Sequence, residues 1–227
     1  MHEIGHNLGL AHANEAGTYN DQSGMMGYSY SSDNGPIMCF NSAKSWQLNW
    51  YASRMESINF STGAKSRRLI GLADFENTNA QASDKVVIKL NTASSTDYYM
   101  SFNRKTGINS GTVEAGNQVL IQRAAGEGTS YAESELLTKM VTGSSFTLSN
   151  FDGSGYDLIV TVDEINTSVS PGYADVTIGA GCSSNAECDD GLACNGLELC
   201  DFGTFTCFTD PGTVCKFLYM YTLASIL

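Results

Sequence analysis

All three histidines of this 227-residue chain fall in one short run at its start, His2-Glu3-Ile4-Gly5-His6-Asn7-Leu8-Gly9-Leu10-Ala11-His12. Histidines four apart on a helix project their imidazoles from one face, one turn apart, close enough to share a zinc ion. Glu3, beside the first of them, is placed to take a proton from a water activated at that metal, the task of a general base. Gly9 suits a sharp helix stop, because a left-handed backbone costs little without a Cβ. The turn then brings His12 round as a third ligand. Three neutral nitrogens leave one tetrahedral position open, the arrangement of a catalytic zinc site and not of a structural one. The expected cofactor is Zn2+, held by His2, His6 and His12. The plainer alternative, three ordinary histidines on a helix face, does not explain why every histidine in the chain occupies a required position.

The pattern resembles the long zinc motif of the metzincin metallopeptidases, which is followed by a tight turn with a Met beneath the metal. Downstream lies Asp21-Gln22-Ser23-Gly24-Met25-Met26-Gly27-Tyr28, with glycines on either side of the Met pair, as a tight turn requires. By the resemblance Met26, or else Met25, is the turn Met, its thioether forming an apolar floor under the imidazoles. Tyr28 matches the Met-x-Tyr spacing of some metzincins, where the phenol binds the metal or stabilises the tetrahedral oxyanion. A donor aimed at developing charge suits that role. The likeness runs from Met1 to about Tyr51, through the His-Glu-Ile-Gly-His-Asn-Leu-Gly-Leu-Ala-His-Ala opening, the Met-Met-Gly-Tyr turn and the Cys39-Phe40-Asn41-Ser42-Ala43-Lys44-Ser45-Trp46-Gln47-Leu48-Asn49-Trp50-Tyr51 run. This stretch looks like the gametolysin family, peptidase family M11, and the part to residue 180 is similar to the region after the catalytic core in that family.

That resemblance implies a secreted zinc endopeptidase whose protein substrate is an extracellular matrix or cell-wall glycoprotein. It also implies an upper half, a twisted sheet and two helices ahead of the zinc motif, and none precedes His2. The sequence is therefore expected to be an N-terminally truncated piece opened at an internal Met. Its active-site helix would begin at a fraying terminus, weakening a site whose scaffold is incomplete. Cys39 is expected to have lost a partner in the missing half. A competing reading makes the chain a non-catalytic secreted matrix-binding protein in which the protease half is vestigial.

Several elements must position these residues. Residues 1–10 read as the end of a helix with His2, His6 and Leu10 on one face. Residues 13–40 are rich in Gly, Ser, Asn and Asp and read as largely irregular. Asn41 to about Arg54 reads as an amphipathic helix capped by Asn41 or Ser42, with Ala43, Trp46, Trp50 and Tyr51 near one face. Beyond it, short β-branched and aromatic runs (86–90, 97–102, 118–121, 145–148 and 157–162) alternate with polar Gly/Ser/Asn/Asp stretches, which favours an antiparallel sandwich. The expected fold class is α+β: the C-terminal part of a metzincin catalytic domain over 1–56 (active-site helix, Met-turn, C-terminal helix), then a β-sandwich-like domain over 57–180. A small cysteine-rich module over 181–215 and an apolar tail over 216–227 complete it.

Cys182, Cys188, Cys194, Cys200, Cys207 and Cys215 crowd into a stretch with too few apolar residues for a core of its own, which reads as a disulfide framework of an oxidising compartment. Two glycosylation sequons, at Asn59 and Asn166, agree with an extracellular or wall-associated location, although the signal peptide such a protein needs is absent from this sequence. The acidic turns at Asp152 and Asp189 lack the spacing of a calcium loop and read as solvated. A formal net charge of −12 excludes nucleic acid as partner, because phosphate binding needs clustered Lys and Arg. The apolar tail is shorter than the roughly 20 residues of a spanning helix, so no stable membrane anchor is expected.

Overall fold

In the computed structural model, residues 1–27, 36–60, 63–126, 130–182, 185–188, 197–201 and 206–210 are described. The chain is mixed α+β and mostly sheet. It divides into two compact units, one of Met1–Phe60, Ser66–Thr147 and Val160–Ile178, the other of Ser61–Lys65, Leu148–Ile159 and Gly179–Leu227. Among the described residues no helix is long and apolar enough to cross a membrane.

Helix α1, His2–Asn7, is short and carries no side-chain cap at Met1. Its C-terminal end is closed by Gly9 N donating to His6 O (2.9 Å) and Leu10 N to Gly5 O (3.0 Å). These two reversed bonds, with Gly9 at φ 80°, form a Schellman stop that satisfies carbonyls the helix would otherwise leave open. A Cβ at Gly9 would meet nothing within 4 Å, so glycine is required there for its conformation and not for space.

Strand β1, Ala13–Asn14, is the one regular piece among the described residues of the segment expected to be irregular. Helix α2 spans Ser42–Leu48, and Asn41 caps it by accepting a hydrogen bond from Lys44 N. The helix expected over 41–54 is therefore cut short. Asn49 takes a left-handed conformation, φ 57°, and its N–H closes the last turn on Trp46 O. Trp50 falls outside the helix and is 52% exposed, while Tyr51 packs against Phe75 (ring centroids 5.1 Å). The buried face is also more polar than expected, comprising Ser42, Ala43, Lys44 and Ser45. The reason is that α2 lies on a sheet that offers it hydrogen-bond partners, such as Tyr99 O to the Ser42 hydroxyl (3.1 Å).

That sheet contains β1 with β2 (Met55–Asn59), β4 (Val87–Asn91), β5 (Thr96–Phe102), β6 (Val119–Ala125) and β7 (Ser134–Met140), in the order β1-β7-β6-β5-β4-β2. Its centre is antiparallel, as the strand pattern led one to expect. Both edges are not: β1 runs parallel to β7 and β2 parallel to β4. The strands added at the two edges come from the first sixty residues, so the sheet is mixed and not purely antiparallel. Strand β2 runs across position 56/57, where the residue pattern placed a boundary. Val87, Ile88, Leu90, Tyr99, Met100, Phe102, Val119 and Ile121 are all fully buried, which is what makes this sheet the rigid platform under α2.

Lys89 and Asp97 form a buried ion pair within the sheet (2.8 Å), and Thr92 N donates to the other Asp97 oxygen (2.8 Å). A second sheet has the order β3-β10-β9-β8, from β3 (Gly63–Ile70), β8 (Ser145–Leu148), β9 (Asp157–Asn166) and β10 (Tyr173–Gly181). Strands β11 (Leu197–Asp201) and β12 (Thr206–Asp210) pair antiparallel with Cys200 opposite Cys207. Cys182 is bonded to Cys200 and Cys188 to Cys207. Cys194, Cys215 and the apolar tail lie outside the described residues. Cys39 is a free buried thiol packed with Ile70, Leu72, Val86 and Val87, a core residue whose burial pushes its pKa up to about 12.

Lys44 is the unexpected charge of this core. It is 1% exposed, its ammonium donates to Ala132 O, and burial pulls its pKa down from 10.5 to about 8, with Glu133 and Asp21 opposing. Between pH 8 and 10.5 the unfolded chain binds the Lys44 proton more fully than the folded chain, so this group makes stability rise with pH in that window. Cys39 and Tyr51, both pushed up to about 12, act the other way above about pH 9, because there the folded chain keeps protons the unfolded chain loses. Comparison with Lys44→Met isolates the lysine. Wild type is expected to gain about 1 kcal/mol on this variant between pH 7.5 and 9. Equal thermal-melting shifts for the two proteins over that range would contradict it.

Candidate metal centre

Helix α1 sets the His2 and His6 rings with centroids 4.9 Å apart. The Gly9 stop reverses the chain, and His12 arrives 4.8 Å from His6 and 5.6 Å from His2. What fixes His12 from behind is long-range. Ser134 N donates to His12 O (3.1 Å), and one residue on, Ala13 N donates to Met26 O (3.0 Å). The third histidine thus enters the site directly before β1, on a segment held by β7 on one side and by the Met pair on the other.

Two of the imidazoles are oriented by backbone carbonyls. His2 Nδ1 lies 2.9 Å from Met25 O, and His6 Nδ1 lies 2.8 Å from Leu10 O. A carbonyl only accepts, so each Nδ1 carries its proton and each Nε2 is left with a free lone pair. His6 Nε2 and His12 Nε2 are 3.1 Å apart, and one ligand atom from each of the three histidines lies within 4.8 Å of the others. Tetrahedral zinc with bonds of about 2.0–2.1 Å places its nitrogens about 3.3 Å apart, so the donor set fits that ion in kind and spacing. The His12 pKa is lowered, first by burial and then by His6 and His2, which favours the neutral imidazole a metal needs. The second group of candidate ligands among the described residues, Cys182, Cys188 and Cys207, consists of sulfurs tied up in disulfides.

Glu3 is exposed in the first turn of α1, beside His2. Met25 and Met26 are each 1% exposed but contribute differently. Met25 supplies the carbonyl that orients His2, whereas the Met26 side chain lies directly against Gly5, where any Cβ would collide with its sulfur. Leu10, Ala13, Met25, Met26, Met38 and Phe40 form one apolar cluster. Tyr28 lies outside the described residues. Asn59 is exposed on β2 and accepts a hydrogen bond from Asn91 (2.7 Å), while Asn166 ends β9 and accepts from Ser168 N and Oγ.

Two residues of the site carry no signal in the sequence pattern. Asp21 is fully buried. It accepts from Ser23 N (3.1 Å) and Ser23 Oγ on one oxygen and from Asn41 Nδ2 (2.8 Å) on the other. Asn41 Nδ2 is also 3.0 Å from Ser134 Oγ. Burial raises the Asp21 pKa against these bonds, but the network ties the Met-bearing turn to the cap of α2 and to β7. Tyr19 places its ring 4.2 Å from that of His12 and 5.9 Å from that of His2. No periodicity marks either residue; the available hint was that Tyr19 is the one aromatic between His12 and the Met pair.

A family model described as gametolysin peptidase M11 matches residues 1–152. Neither the curated proteins nor the solved structures contain a match to the chain.

Proposed function

This chain belongs to the gametolysin peptidase M11 family, a metallopeptidase family, and from that premise we propose that it is a zinc-dependent endopeptidase hydrolysing extracellular or cell-wall (glyco)proteins. The observation that carries the reading is the convergence of His2, His6 and His12, with Nδ1 of the first two held by Met25 O and Leu10 O. In this reading α1, the Gly9 stop, the Met pair and α2 are the C-terminal part of a metzincin catalytic domain. An oxidising destination is supported by the two disulfides of the second unit.

His2, His6 and His12 would hold the metal through neutral nitrogens, and the carbonyls behind His2 and His6 keep the nitrogens of those two rings aimed inward. Bound zinc supplies Lewis acidity toward the scissile carbonyl and lowers the pKa of water at the site. Glu3 accepts the proton of the attacking water and hands it to the departing amine as the peptide bond breaks. Its exposure at the helix start leaves the carboxylate free to reach both. Met26, packed against Gly5, supports the helix that carries His2 and His6. By the family resemblance Tyr28 binds the metal or stabilises the oxyanion of the tetrahedral intermediate.

Zinc titration tests the assignment. The chain is expected to take up one zinc per molecule, and His12→Ala to weaken uptake at least ~10-fold, as loss of a ligand costs no less than loss of a group that orients one. Undiminished uptake by that variant would remove the centre from this place.

A further inference from the structure

The His12 ring lacks the anchor that the other two possess. His2 and His6 sit on a helix and donate through Nδ1 to Met25 O and Leu10 O. Among the described residues no hydrogen bond reaches His12 Nδ1, and His12 lies outside the helix. Besides the other two imidazoles, its ring meets that of Tyr19, at 4.2 Å with the planes tilted by 49°. Aromatic pairs at such separations attract beyond their simple burial.

Tyr19 is held where it is at some cost. Its φ is 67°, a left-handed conformation that disfavours a bulky residue by about 1–2 kcal/mol. Tyr19 N donates to Asn14 Oδ1 (3.2 Å), and Asn14 Nδ2 donates to Glu133 Oε2 (2.8 Å). A chain of contacts thus runs from the start of β7 through Asn14 to the Tyr19 backbone and from its ring to His12. The ring itself is 39% exposed, so burying it in a core is not what this strained placement achieves.

We propose that Tyr19 is a positioning residue of the metal centre, its ring serving His12 as the backbone carbonyls serve His2 and His6. The proposal rests on the reading that the three histidines hold zinc. Without the ring the His12 imidazole keeps its rotamer freedom in the metal-free chain and must surrender it on binding, so affinity falls.

The test uses the full chain, metal-free, with zinc affinity measured by competition against a chromophoric chelator. Tyr19→Asn is the ringless variant of choice, because asparagine tolerates the left-handed backbone and leaves the loop fold intact. It is expected to weaken zinc binding by about 10- to 100-fold, the range for groups that orient a metal ligand. Tyr19→Phe keeps the ring and is expected to stay within about threefold of wild type on the same grounds. Wild-type affinity in Tyr19→Asn overturns the proposal. So does a Tyr19→Phe as weak as Tyr19→Asn, which would move the effect to the hydroxyl. A wild-type chain that takes up no zinc overturns instead the reading beneath it, and the proposal falls with that reading.

Discussion

Glu3→Gln is expected to lower kcat for peptide hydrolysis by about two to four orders of magnitude while zinc stays bound. The carboxylate is exposed, in the first turn of α1 beside a buried metal-ligand candidate, so the amide replaces it without disturbing packing. What disappears is the capacity to accept a proton. The expected signature is a loss in kcat and kcat/KM together, with zinc affinity and melting temperature unchanged, because the carboxylate's contribution is confined to the transition state. A Glu3→Gln protein that cleaves as fast as wild type would take the general-base role away from this residue. One that holds zinc but cleaves nothing even as wild type would favour the matrix-binding alternative.

The second large effect is structural. Gly27→Ala is expected to destabilise the folded chain by more than about 3 kcal/mol, among the larger costs of a single substitution, and to weaken zinc binding with it. A Cβ at position 27 would fall on the backbone carbonyl of Asp21 and within 3.0 Å of Ala13 O. Neither atom can swing aside as a side-chain tip can. Opening the turn to make room pulls at the Ala13 N to Met26 O bond and at Met25 O, the acceptor for His2 Nδ1. Gly63→Ala is the comparison: φ there is left-handed at 88°, but a Cβ meets nothing within 4 Å. Its cost is conformational only, about 1–2 kcal/mol. Similar melting shifts for the two variants would mean that the close approach at Gly27 does not matter.

The portions of the fold legible in the sequence are those governed by local spacing. The closeness of His2 to His6 follows from the helical period, and the stop at Gly9 follows from glycine's tolerance of positive φ. The Asn41 cap is of the same kind, since an Asn at a helix start accepts from the N–H three residues on. The central strands could be read from their runs of β-branched and aromatic residues. The length of α2 could not, because Asn49 continues a helical pattern or ends it depending on what its neighbours pack against. Nor could the buried Lys44, whose charge is tolerated only because Ala132 O and the carboxylates around it are brought there by the sheet.

Sequence alone determined the chemistry on offer: three imidazoles, a carboxylate beside the first, a glycine stop and a Met pair, each defined by residue type and short-range spacing. Tertiary structure decided how that chemistry is held. The parallel pairing of β1 with β7 joins residues more than a hundred positions apart, and it delivers His12 to the helix-borne pair. Tyr19 and Asp21 acquire their places in the same way, one against a ring and the other beneath the turn. Contacts of that range leave no periodic trace in a chain, because they depend on which surfaces meet when strands and helix pack and not on the spacing along any one of them.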